Sequence, residues 1–194
     1  VHNAPSDSSG WAKLAISKGD IIAFENRPYV YPDQKLTLEG VTLRGEGPQT
    51  SLDIALCLCG TAAMEQITLN ASLYIDRNAE ITLTDCRIES DSHVNGIVVH
   101  ENSILQVKNV TLTGDGGNSP GIYLGTGSRL TGDGLVISLQ QSPGILACER
   151  SVVGLDNSRI KNSHECCIAL EDQASGFFAS TILSARSGTA IVME

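Results

Sequence analysis

Any acid–base chemistry in this chain would fall to a small set of side chains, chiefly Asp76, His100 and Glu171. A carboxylate beside an imidazole orients the ring and suits it to take or give a proton near neutral pH. Two carboxyl groups roughly 5–9.5 Å apart across a glycosidic bond would support its hydrolysis. Cys148 or Cys166 with His164 offers the beginning of a thiol nucleophile, but the residues around them name no orienting partner and no oxyanion donor. These positions are far apart in sequence, so everything depends on the elements that bring them together.

Those elements show themselves as a repeat. The segments Leu73-Tyr74-Ile75, Ile97-Val98-Val99, Ile122-Tyr123-Leu124, Ile145-Leu146-Ala147, Ile168-Ala169-Leu170 and Ile191-Val192-Met193 each follow a small residue. Those anchors, Ser72, Gly96, Gly121, Gly144, Cys167 and Ala190, are spaced by 24, 25, 23, 23 and 23 residues, which means stacked structural units. Sixteen residues past the anchor stand Ile88, Leu112, Ile137, Ile160 and Leu183; nine past it stand Ile81, Leu105, Leu130, Val153 and then Gly176, where Phe177 and Phe178 adjust. Seven past it stand Ala79, Ser103, Ser128, Ser151 and Ala174. Thirteen past it stand Asp85, Asn109, Gly134, Asn157 and Ser180, types suited to a tight bend in the left-handed backbone region. Each unit therefore holds three short strands and three turns. A leucine-rich repeat has a comparable period, but its consensus and its helix are absent. The pattern predicts an all-β, single-stranded parallel β-helix of about seven to eight coils with three strands each, stacked ~4.8 Å apart.

On these residues, and on the entry Gly19-Asp20-Ile21-Ile22 followed by RPYVYPDQKLTLEGVTLRGEGPQT at 27–50, the chain resembles the pectin-lyase-like right-handed parallel β-helix family. The resemblance is to its repeat modules in NosD-like and F-box-associated carbohydrate-binding and sugar-hydrolysis domains. It spans residues 19–194 as one β-helix, with 1–18 as an N-terminal extension. Within that extension Ser8 reads as the N-cap of a short capping helix through Trp11, Leu14 and Ile16, with Gly19 as its stop and Trp11 as a plug.

The resemblance implies that glycan cleavage, where present, uses acidic and basic residues on the outer face of the first strand and its flanking loops. That face reads Tyr74, Val98, Tyr123, Leu146, Ala169 and Val192, none of which ligates Ca²⁺ or transfers a proton. The next outward position holds Asp76, His100, Gly125, Cys148, Glu171 and Glu194. Asp76 and His100 fall on adjacent coils, ~5 Å apart, whereas Glu171 is three coils past His100, ~14 Å away. Arg159-Ile160-Lys161 matches a tripeptide of polygalacturonase-like enzymes, but their Asn-Thr-Asp, Asp-Asp and Gly-His-Gly motifs are missing, as is the Asp-Pro-His-Asp of alginate epimerase-like relatives. Ile160 is the inward residue of its coil, so Arg159 and Lys161 read as its outward neighbours.

What remains is a surface. An apolar stripe through Tyr74, Val98, Tyr123 and Leu146 marks an interface or a face covered by the chain itself. Beside it lie the coil-closing loops 89–95, 113–120, 138–143, 161–166 and 184–188, which vary in length and would present Asp91, His93, Asn118, Gln141, His164 and Glu165.

Composition narrows the partners. Thirteen Lys and Arg against twenty-two Asp and Glu give a net charge of −9, unfavourable for nucleic acid and, without a bridging Ca²⁺, for polyuronic acids. No apolar run has the length of a membrane span and VHNAPSDSSG lacks a signal core, so no membrane partner is expected and the start reads as a cut from a longer chain. The six cysteines form neither a disulfide framework nor a Cys-x-x-Cys site; reduced thiols favour a cytoplasmic setting, or a secreted effector, and no metal or cofactor is expected. The sequence closes at Met193-Glu194, inside a first strand, so either the chain continues or another subunit covers that coil. The expected function is a non-catalytic binding or scaffold domain of a larger protein, recognising a protein partner or glycan along the stripe and loops. Self-association through the stripe or the open C-terminal coil is also expected. The alternative is a polysaccharide lyase or glycoside hydrolase relying on Asp76, His100 and Glu171.

Overall fold

In the computed structural model, described at residues 1–90, 96–114, 119–139, 142–162, 166–185 and 188–193 (backbone alone at 8, 32–34, 90 and 162), the chain is an all-β parallel solenoid of about seven turns. One coil shows the plan. Its first strand is Leu73–Ile75, its second Glu80–Thr84 and its third Arg87–Ser90, and these pair in parallel with Ile97–Val99, Ile104–Lys108 and Thr111–Gly114 of the next. Second strands stack into a nine-stranded sheet. First and third strands form two arms of a fourteen-stranded sheet joined through Ser51–Cys59, which pairs at its start with Thr68–Leu69 and further on with Leu73–Ile75.

That junction follows from coil length. Leu56 and Leu73 are partners only 17 residues apart, so no loop separates the third strand from the first strand of the next coil and the two run on as one. The later coils add their extra residues at this corner.

The register makes the core. Leu36, Leu56, Leu73, Ile97, Ile122, Ile145, Ile168 and Ile191 stack in one inward row; Tyr29, Leu52, Leu69, Ile88, Leu112, Ile137, Ile160 and Leu183 stack in another. Leu69 through Ile160 in the second row are fully buried. The small anchors are a consequence of this packing: a Cβ on Gly121 would lie 2.7 Å from the Leu139 side chain and 2.8 Å from the Gly144 carbonyl oxygen of the next coil. At Gly176 the space is taken by the Phe178 ring, which stands in the row of Leu155.

The bends fall where the residue types place them. Asp85, Asn109, Gly134, Asn157 and Ser180 all have positive φ, as does Gln66 one coil earlier. Left-handed backbone costs a non-glycine residue ~1–2 kcal/mol, and here the bends at Gln66, Asp85, Asn109 and Gly134 are tied to the next coil, with Asp85 N–H donating to the Lys108 carbonyl and Asn109 N–H to that of Asp133 (2.9 Å each). In the buried serine row Ser103 Oγ donates to the Asp76 carbonyl at 2.6 Å and Ser128 Oγ to the Gly125 carbonyl, whereas the buried Ser151 Oγ has no hydrogen-bond partner among the described residues.

The N-terminal segment departs from expectation. The helix is a single turn, Ser8–Trp11, and Asp7 rather than Ser8 caps it, accepting from Gly10 N–H at 3.0 Å. Beyond Trp11, Leu14 and Ile16 pack against the core two residues apart, a strand-like alternation that outweighs the helical spacing of the same apolar residues. Trp11 does plug the first coil, with ring centroids 6.2 Å from Phe24 and 5.8 Å from Tyr31. His2–Asn3 adds a strand to the second-strand sheet, pairing with Ile22 and Ala23.

The inward and outward sides of one strand should respond very differently to truncation. Ile137→Ala, in the middle of the stacked row, should lower unfolding free energy by about 2–5 kcal/mol in urea titration, whereas the adjacent outward Val136→Ala should cost well under ~1 kcal/mol.

Candidate functional site

The outer face of the first strands is a straight row, because parallel pairing without register shifts sets each residue opposite its equivalent. Tyr74 pairs with Val98, then Tyr123, Leu146, Ala169 and Val192 in succession. The row also continues the other way through Cys57 and Thr37, positions hidden from the repeat by the shorter early coils. Its side chains point outward but are less open than the sequence suggests. Val98, wedged between two tyrosines, is only 8% exposed and Ala169 7%, while Tyr74, Tyr123 and Leu146 are half-buried. The Lys35 ammonium sits 4.3 Å over the Tyr74 ring, a cation–π contact that occupies that aromatic face. The stripe is thus a smooth, partly packed surface and not a set of projecting rings.

Alongside runs the second row, Glu39, Cys59, Asp76, His100, Gly125, Cys148 and Glu171, held by backbone hydrogen bonds such as Asp76 N–H to the Leu58 carbonyl and His100 N–H to that of Ile75, each 3.0 Å. Asp76 and His100 are neighbours as expected. The Asp76 carboxylate, however, also accepts from the Cys59 thiol on its other side, 3.5 Å away. The Arg77 backbone N–H and that thiol hold the Asp76 carboxyl below its usual range, with His100 a smaller influence. Burial pushes the Cys59 thiol up to about 12, and the neighbouring Cys57 and Asp76 add to it. The same pairing recurs where Cys148 Sγ lies 3.8 Å from Glu171 Oε2, with burial and Glu171 raising that thiol. Both thiols are thereby kept protonated, the reverse of what a nucleophile needs.

The row therefore brings Asp76 and His100 together and leaves Glu171 three coils beyond His100 and four beyond Asp76, ~14 and ~19 Å by strand spacing, too far to form a glycosidase carboxyl pair with Asp76. Arg159 and Lys161 flank the fully buried Ile160 on the outer side of the third strand, on a different face. Cys166 is buried. Asp91, His93, Asn118, Gln141, His164, Glu165 and Glu194 lie outside the described residues. Among the described residues no group of three His, Cys, Asp or Glu is placed to hold a metal ion, and no helix is long and apolar enough to cross a membrane.

The model of the right-handed β-helix region matches residues 71–194, well over half of the chain. The chain belongs to the right-handed β-helix family. Its coils fit the pectin-lyase-like parallel β-helix fold. Among solved structures, this β-helix is similar to Geobacillus virus E2 ORF18, with 10% identity and a TM-score of 0.34, over 90% of this chain and 53% of that one. The chain thus spans about half the length of that protein. Comparison with curated proteins gives no match.

The Cys59–Asp76 contact yields two checks. Since the Asp76 carboxyl is lowered on folding, its contribution to stability is present above the ordinary carboxylate range and is lost as pH falls through the folded value. Asp76→Asn should therefore flatten the acid limb of a stability-versus-pH curve below about pH 4. At pH 8, alkylation of Cys59 by iodoacetamide should be slower than that of an unstructured cysteine peptide and should accelerate in Asp76→Asn, read by mass spectrometry of the Cys57–Cys59 peptide.

Proposed function

We propose that this β-helix is a non-catalytic binding or scaffold domain whose first-strand face docks a protein partner. The observation that carries the reading is the row Tyr74, Val98, Tyr123, Leu146: apolar, in register, with Val98 buried and the other three half-buried, and without an acid–base pair set across it. A flat apolar strip of this kind, rimmed by the polar row of Asp76 and His100, resembles the apolar centre and wet rim of protein interfaces. Protein is favoured over glycan by the Lys35 ammonium on the Tyr74 ring, since sugar stacking would need that aromatic face clear. Net charge of −9 further favours a partner presenting cations to the rim over an anionic polymer.

The competing reading, a lyase or hydrolase using Asp76, His100 and Glu171, finds less support, because the Asp76 carboxyl is held low and paired with a thiol and Glu171 is remote. The two are separated by combining Tyr123→Ala and Leu146→Arg in one variant. Capture of a partner from source-cell extract by the immobilised domain should drop at least tenfold in that variant. Unchanged capture, or release of reducing ends from a polysaccharide panel that is abolished by His100→Ala, would contradict the proposal.

A further inference from the structure

One described cleft is not on the first-strand face. It lies at the corner between second and third strands, has a volume of about 530 Å³, and is lined by the Glu46–Pro48 loop together with three successive coils. We propose that this cleft is a separate binding site for an uncharged saccharide about two sugar units long.

The lining of the cleft is regular. Thr68, Arg87 and Thr111 are register partners on consecutive third strands and form the floor. Gln66, Asp85 and Asn109, each held in a left-handed bend, form the rim. Every coil thus supplies one hydroxyl or guanidinium below and one amide or carboxylate beside it, and the set repeats every ~4.8 Å. A polyhydroxylated chain, with donors and acceptors recurring along its length, is the chemical complement of such a ladder.

Length follows from where the ladder stops. The Glu46–Pro48 loop, which precedes these coils in the chain, also lines the cleft. Past Asn109 and Thr111, the next rim position is Gly134 and the next floor position Val136, so neither continues the polar pattern. Three rungs span ~9.6 Å between the first and the last, about two sugar rings. The volume falls within the roughly 300–1,000 Å³ of small-ligand sites.

Charge decides the class. Glu46 and Asp85 both line the cleft, and the single guanidinium, Arg87, forms an ion pair through Nε with Glu89. A uronate or phosphate would meet two carboxylates and a cation already compensated, whereas neutral hydroxyls find acceptors and donors without that repulsion. The rim is also fixed beforehand: Asn109 Nδ2 donates to Asp85 Oδ1 at 3.0 Å, so little side-chain freedom is lost on binding.

Isothermal titration with cellobiose, maltose and lactose, and with digalacturonate as the anionic comparison, tests the site. At least one neutral disaccharide should bind at millimolar or tighter affinity. Thr111→Trp, which fills the floor from an outward strand position, should weaken it tenfold or more, and the paired Thr68→Val, Thr111→Val change should weaken it measurably with the same circular dichroism as the parent. Tyr123→Ala with Leu146→Arg should leave it unchanged, which separates this cleft from the docking face. Should Thr111→Trp not fold, the valine pair decides. Absence of binding by all three neutral sugars, tighter binding of digalacturonate, or affinity that survives the cleft variants would overturn the proposal.

Discussion

Each inward side chain of this protein rests on its own equivalent one coil away, and nearly every other feature follows from that contact. An aliphatic residue stacked at strand spacing is buried by neighbours above and below as well as across the core, so Ile88, Leu112, Ile137 and Ile160 reach complete burial in a chain only three short strands around. The stack can form only if successive coils keep one register. That register in turn places small residues where coils approach closely and bends the chain at residues tolerant of left-handed backbone, whose amides are then available to the next coil.

The outer surface inherits this order. Outward residues of parallel strands line up as strictly as the inward ones, so a row of related side chains becomes a continuous strip. On the first strand that strip is apolar, and its crowding has chemical effects one position further on, where thiols and carboxylates from adjacent coils face each other and the thiols are held protonated. On the third strand the same regularity lines up Thr68, Arg87 and Thr111 beneath a polar rim. One scaffold thus carries two surfaces of different character on different faces, one apolar and one polar.

Much of this is readable in the amino acids from Ser72 onward, where the near-constant period assigns Ile88, Ile137 and Asn109 the inward and bend positions that they hold in the fold. Before Ser72 the reading was poorer for a physical reason: the coil from Leu56 to Leu73 lacks the corner loop, so the period breaks while the stacking persists, and Cys57 and Cys59 went unrecognised as members of the outer rows. The direction of the stripe was legible, its exposure was not. Burial of Val98 depends on the size difference from its tyrosine neighbours, and the covering of Tyr74 depends on Lys35, nearly forty positions earlier in sequence and joined to it only through the fold. The N-terminal segment misled because Trp11 and Leu14 stand at helical spacing while Leu14 and Ile16 alternate, and tertiary packing ended the helix after one turn.

The central claim is that coil stacking, residue on equivalent residue, builds the first-strand face as one straight strip. Nuclear Overhauser contacts from the Val98 methyl groups measure this directly. Stacking in register requires strong cross-peaks from those methyls to the rings of both Tyr74 and Tyr123, which flank Val98 on consecutive coils. Contacts to one ring alone, or to neither, would mean that the coils are not stacked in this register.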